Sequence, residues 1–152
     1  MKVAVPHFSA ITELSSLKLA IKLHGKTAQN AFEQATDILA NDLKVNNTLT
    51  HLHLGDNEIS DRGEALGEVN NTLTQLDLGE NEISDRGGEA LAEALKVNNT
   101  LTRLDLERNE ISGRGCEALA EALKVNNALT QLHLTSNKIS DRGGEGLAEA
   151  LK

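Results

Sequence analysis

Residues 71–99 read NTLTQLDLGENEISDRGGEALAEALKVNN, and two periodicities follow one another in this stretch. Leu73, Leu76 and Leu78 come first. Leu76 and Leu78 alternate with Gln75 and Asp77, the period of two expected of a short strand with one buried face. Beyond Asn81 and Ile83 the period lengthens, and Ala90, Leu91, Ala94 and Leu95 share one side of a helix with Glu89, Glu93 and Lys96 outside. Ser84 and Asp85 are suited to cap that helix, and Glu89 to its positive end. Asn98 and Asn99 can turn the chain back, because asparagine tolerates left-handed backbone and bonds locally. Strand and helix each carry an apolar side that one unit cannot bury alone. The unit needs neighbours.

The rest of the chain supplies them. The first leucine recurs at Leu49, Leu73, Leu101 and Leu129, at intervals of 24, 28 and 28 residues. Asn57, Asn81, Asn109 and Asn137 keep one offset, and Ile59, Ile83, Ile111 and Ile139 another. The run L-x-x-L-x-L-x-x-N-x-I followed by a full helix resembles the ribonuclease-inhibitor-like class of leucine-rich repeat proteins, from Leu49 to Lys152. That resemblance implies an α/β solenoid, a horseshoe segment with a parallel sheet on the concave side and helices on the convex side. It also implies that the repeated asparagine bonds backbone groups of the adjacent turn, making a ladder through the stack. Cysteine often holds that position in the class; here every copy has Asn.

The whole chain, residues 1–152, reads as a single leucine-rich repeat domain, with a degenerate capping segment at 1–48 and four repeats starting near 49, 73, 101 and 129. In the cap, Leu17, Leu19, Ile21 and Leu23 alternate with polar or small residues as a first strand, and residues 28–44 read as a helix. Gly25-Lys26-Thr27 lies between them, where a phosphate-binding loop would sit. Ala20 replaces the glycine that motif requires, so helix capping by Thr27 is the preferred reading. The repeat at Leu49 lacks four residues of helix, about one turn. That position is expected to be the softest of the convex row.

A net charge of −8 argues against general nucleic-acid binding and against an anionic membrane surface. No apolar stretch approaches the ~20 residues of a membrane span, and the first ten residues do not read as a signal peptide. Cys116 stands alone, which suits a reducing compartment, so a cytoplasmic location is expected. It occupies the place of Gly88 and Gly144 and reads as a passive small residue. The Asp61-Arg62, Asp85-Arg86 and Asp141-Arg142 pairs read as surface contacts of little individual worth. The sequence ends on a consensus helix, so the flank with Leu132, Leu134, Ile139, Leu147 and Leu151 is expected to be partly open. Either a longer array or end-to-end pairing, including a homodimer, would account for it.

Residues between the strand leucines point away from the core. These are His51 and His53, Gln75 and Asp77, Arg103 and Asp105, and Gln131 and His133, with Asp56, Glu80, Glu107, Arg108 and Ser136 just beyond. They are the candidate partner-binding residues, because the class typically binds other proteins on that strip. His51, His53 and Asp77 could in principle hold a metal, but no second shell is visible and a polar surface is the preferred reading. No nucleophile comes with a base and an orienting group, so no enzyme and no cofactor are expected. The alternatives are a self-associating scaffold, a microbial effector engaging a host protein (in the host cytosol), and a regulator like the activators of Ran-type GTPases, which share the repeat class and an acidic balance.

Overall fold

The computed structural model describes residues 16–18, 43–57, 59 and 70–151. Five strands of three residues each, β1 (Ser16–Lys18), β2 (His51–His53), β3 (Gln75–Asp77), β4 (Arg103–Asp105) and β5 (Gln131–His133), form one sheet in the order β1-β2-β3-β4-β5. Every pair is parallel, with Leu17, Leu52, Leu76, Leu104 and Leu132 side by side in register. Three helices follow their strands: α1 (Asp85–Val97), α2 (Gly113–Leu123) and α3 (Asp141–Ala150). Helices are wider than strands, about 8–10 Å against 4.8 Å between axes. A row of helices behind a row of strands therefore curves with the sheet on its concave side.

The repeated leucines and isoleucines form the core between the two rows, with Leu52, Leu78, Leu104, Leu106, Ile111 and Leu119 fully enclosed. On α1 the buried arc is Gly87, Gly88, Leu91, Ala92, Ala94 and Leu95. Ala92 is thus buried and Ala90 only half-buried, the reverse of the single stripe expected. A helix inside a row meets the sheet and a neighbouring helix, so its covered arc is broad.

Two asparagine ladders stitch the turns. The expected one is present. Asn109 donates Nδ2 to the carbonyls of Leu106 (3.1 Å) and, in the preceding repeat, Leu78 (2.9 Å), while its Oδ1 accepts from the Ile83 N–H at 3.0 Å. Asn81 and Asn137 do the same one repeat earlier and later. A second ladder runs through Asn70, Asn98 and Asn126 at the opposite ends of the strands. Asn126 Nδ2 donates to the carbonyls of Leu95 and Asn98, and its Oδ1 accepts from Ala128 and Leu129.

Asn98 does not take the left-handed conformation anticipated for it; its φ and ψ are −77° and 127°. Its side-chain oxygen accepts the N–H groups of Thr100 and Leu101 and makes the turn without a positive φ. Among the described residues, the left-handed non-glycine residues are instead Asp56, Glu80, Arg108 and Ser136, each just before a ladder asparagine, with φ between 52° and 59°.

One of the Asp-Arg pairs, Asp85-Arg86, differs from the surface contact expected, while Asp61-Arg62 lies outside the described residues. Asp85 reaches across to the next repeat, where Oδ1 accepts from the backbone N–H groups of Ser112 and Gly115 (both 2.8 Å) and Oδ2 from the Ser112 hydroxyl (2.5 Å). One repeat thereby caps the helix of the next. Burial pushes this carboxyl up, but those hydrogen bonds and the Arg114 charge outweigh it and hold its pKa below the ordinary value. Gly115 permits the approach, since a Cβ there would lie 2.7 Å from Ile111 Cγ2 and 2.9 Å from Asp85 Oδ1. The third repeat has Gly113 at the equivalent position and hands nothing on. Helix α3 relies on Ser140, whose own hydroxyl accepts from Gly143 at 3.4 Å.

Of the expected cap, the structure describes β1, which begins at Ser16, and a helical end at residues 43–45. Gly25-Lys26-Thr27 and the shortened helix after Asp61 lie outside the described residues. At the other end, Leu132, Leu134, Ile139 and Leu147 are only partly covered and Leu151 is 77% exposed. The counterparts Leu104, Leu106, Ile111 and Leu119 are all at 0%.

Candidate functional site

Because the central leucine of each strand faces the helices, its two neighbours face the concave side. The register aligns them in two rows: His51, Gln75, Arg103 and Gln131 in one, His53, Asp77, Asp105 and His133 in the other. All eight candidate residues are thus on one surface, half-buried except for the exposed Gln131. Adjacent residues of a row sit about 4.8 Å apart, a spacing at which side chains on neighbouring strands interact.

The rows are linked by loose polar contacts. Arg103 lies 3.4 Å from Gln131 Oε1 and 3.6 Å from Asp105 Oδ2, and His53 Nδ1 is 3.4 Å from Asp77 Oδ2. His51 Nδ1 is 2.8 Å from the hydroxyl of Thr50. Two of the candidates have a local duty as well. The Asp77 carboxylate accepts from the N–H of Gly79 (3.0 Å) and that of Asp105 from Glu107 (3.1 Å), closing the turn after each strand. Those aspartates are therefore positioned by the backbone, whereas Arg103 is held only by its two long side-chain contacts.

Beyond the second row the left-handed residues project at one rim. Arg108 pairs with Glu80 at 2.6 Å and lies 3.8 Å from Glu107. With His53, Asp77 and Asp105 they border a depression of ≈ 350 Å³ floored by the backbone of Gly55 and Gly79. Sequence reading placed these residues near the strip but did not reveal the hollow, whose lining includes the glycines that stand two residues after β2 and β3. Among the described residues no group of three or more His, Cys, Asp or Glu side chains is arranged to hold a metal ion. His51 and His53 meet Asp77 only through the long His53 contact.

A larger depression of ≈ 630 Å³ lies on the convex surface over α2 and α3. Four of its charges are engaged between successive helices: Arg114 with Glu89 at 3.0 Å and Arg142 with Glu117 at 2.7 Å. Repeating bonds of this kind belong to the scaffold. Cys116 beneath them is fully buried, and burial together with the negative Asp85 raises its pKa, so the thiol is not activated. Among the described residues no helix is long and apolar enough to cross a membrane.

Comparison with known proteins agrees with this architecture. The pattern described as Leucine Rich repeat matches residues 45–63, 69–92, 97–120 and 125–148. The chain belongs to the leucine-rich repeat family. Among solved structures it is similar to leiomodin-1 actin-binding site 2, at a TM-score of 0.72 and 21% identity over 92% of this chain and 80% of that one. It is also similar to the tropomodulin C-terminal domain of Caenorhabditis elegans, at a TM-score of 0.70 and 16% identity over 92% and 83%. At these identities the likeness is one of fold. None of the curated proteins compared with the chain matches it.

Proposed function

We propose that the chain is a non-catalytic protein-interaction module that binds a protein partner on its concave strand face, through His51, His53, Gln75, Asp77, Arg103, Asp105, Gln131 and His133. One observation carries this reading. A nearly constant scaffold presents a different polar pair on each strand, in register, so that eight side chains form one continuous strip. The leiomodin segment that shares the fold is described as an actin-binding site, which supports protein as the class of partner. Arg103 is the anchor of choice, as arginine is enriched among energetically dominant interface residues. No cofactor enters the proposal. A site of action in the cytoplasm is part of it, in keeping with the single, enclosed thiol of Cys116.

The test is capture from lysate by the parent chain and by Arg103→Ala/Asp105→Ala/His133→Ala in parallel. A partner retained by the parent and lost by a variant with an unchanged melting curve supports the strip. A partner held equally by both removes it. A second reading is a self-associating scaffold or part of a longer repeat array joined through the C-terminal end, either of which would cover the half-open leucines of the last repeat.

A further inference from the structure

Charge is unevenly spread over the concave face, and the imbalance falls at the hollow. The first row, Ser16, His51, Gln75, Arg103 and Gln131, contains no acid. The left-handed residues form a further row in register, since the N–H groups of Asp56, Glu80 and Arg108 donate to the carbonyls of Gly79, Glu107 and Thr135 one repeat on. Between that row and the strands, the carboxylates of Asp56, Asp77, Glu80, Asp105 and Glu107 line the hollow, with Arg108 the one arginine or lysine among its walls. Two of these acids keep acceptor capacity. Asp77 and Asp105 each spend Oδ1 on a backbone N–H, while their Oδ2 atoms have contacts of only 3.4 Å to His53 and 3.6 Å to Arg103. Charge-assisted hydrogen bonds normally close to about 2.7–2.9 Å. The floor is kept open by glycine: a Cβ on Gly55 would stand 3.2 Å from the Gly79 carbonyl oxygen, and one on Gly79 3.3 Å from Asp77 Oδ1.

We propose that this hollow is the specificity pocket of the concave face and receives an arginine side chain of the protein partner. The proposal rests on the concave-face reading above and names the group on the partner that the face selects. The chain's own Arg108 shows the chemistry. Its guanidinium lies in the wall of the hollow, 2.6 Å from Glu80 and 3.8 Å from Glu107, so the rim already accommodates one such group. A bare divalent ion fits poorly, because among the described residues no three of these acids and histidines converge as ligands. A guanidinium does not need that convergence. Its planar fork of five donors can bridge carboxylates on successive repeats, spaced about 4.8 Å apart at the strands. The first row, without acids, would then meet neutral parts of the same partner.

Amide NMR of the 152-residue chain, titrated with the capped peptide Gly-Gly-Arg-Gly-Gly and with its neutral citrulline counterpart, tests this. Saturable shifts are expected at Gly55, Gly79 and Glu80 with the arginine peptide, weaker at high salt and absent with citrulline. Asp56→Asn/Glu80→Gln should bind the arginine peptide at least about tenfold more weakly, with an unchanged melting curve. Asp77→Asn, which keeps an Oδ1 acceptor for the Gly79 N–H, should weaken it as well. Shifts that never saturate, that extend equally to Glu93 and Glu121 on the helices, that citrulline reproduces, or that both variants leave unchanged overturn the pocket. So does calcium ion alone, if it saturates the same amides. The concave reading is judged apart by capture with Arg103→Ala/His133→Ala, which spares the hollow. Loss of the captured partner there, without an arginine-specific shift, overturns the pocket and leaves the concave face standing. A partner retained by that variant and by Asp56→Asn/Glu80→Gln removes both.

Discussion

Replacing Asp85 by alanine should loosen the stack at the junction between α1 and α2. The substitution removes the acceptor for two backbone N–H groups and one hydroxyl, all in the following repeat. Losing a helix N-cap costs roughly 1 kcal/mol, with a range of about 0.5–2. The negative charge at a helix N-terminus contributes roughly a further 0.3–1 kcal/mol. The site is half-buried, so water recovers part of the loss and a total of about 1.5 kcal/mol is expected, a fall of roughly 3–6 °C in melting temperature for a chain of this length. Asp141→Ala is the internal control, because its side chain reaches no neighbour among the described residues; only the dipole contribution, roughly 0.5 kcal/mol, should be lost there. Urea unfolding of parent and both variants reads the difference. The pH dependence has a defined sign. The folded pKa of Asp85 lies below the ordinary 3.8, so its contribution is present above that value and vanishes as pH falls through the lower folded one. Parent and Asp85→Ala should therefore converge in strong acid. Equal losses for Asp85→Ala and Asp141→Ala at neutral pH would refute the inter-repeat cap.

Other substitutions probe the same junctions. Gly113→Asp should create the missing cap on α3 and stabilise by about 1 kcal/mol in urea unfolding, provided the Ser140 hydroxyl, 2.6 Å from the position of the new Cβ, rotates away. Gly115→Ala should cost roughly 1–3 kcal/mol by overpacking against Ile111 and Asp85. Gly144→Ala, where a Cβ meets nothing within 4 Å, should gain about 0.5–1 kcal/mol by the same measurement. Asn109→Ala leaves the Ile83 N–H and the carbonyls of Leu78 and Leu106 without their partner. A loss of about 3 kcal/mol is expected, with faster amide exchange at Ile83.

The solenoid was legible because its determinants recur: leucine, asparagine and isoleucine return at fixed offsets, and alternation alone separates Leu76 from Gln75 and Asp77. The half-open flank followed from the same pattern, since Leu132 and Ile139 occupy places that a following repeat covers elsewhere. The reach of Asp85 was not legible. Its partners lie in the next repeat, and the contact depends on how closely two helices pack around Gly115. A local reading can find Asp85 at the start of its own helix but not at the end of another. The left-handed positions were hidden for a different reason. Asp56, Glu80, Arg108 and Ser136 share no residue type, so no glycine or asparagine marks the turn, while Asn98 carries that mark and bends the chain through its side chain instead. At the strip, alternation disclosed which residues face outward. The second duty of Asp77 and Asp105 in their turns required the geometry.

Carboxyl-group footprinting of the chain alone and in complex with its captured partner tests the binding face most directly, because the acids lie on both surfaces. Protection of Asp77, Asp105 and Glu107 on the concave side, with Glu93, Glu121 and Glu149 labelled as before, is the predicted result. Protection of the helix acids with Asp77 and Asp105 unchanged would contradict the account and move the partner to the convex face.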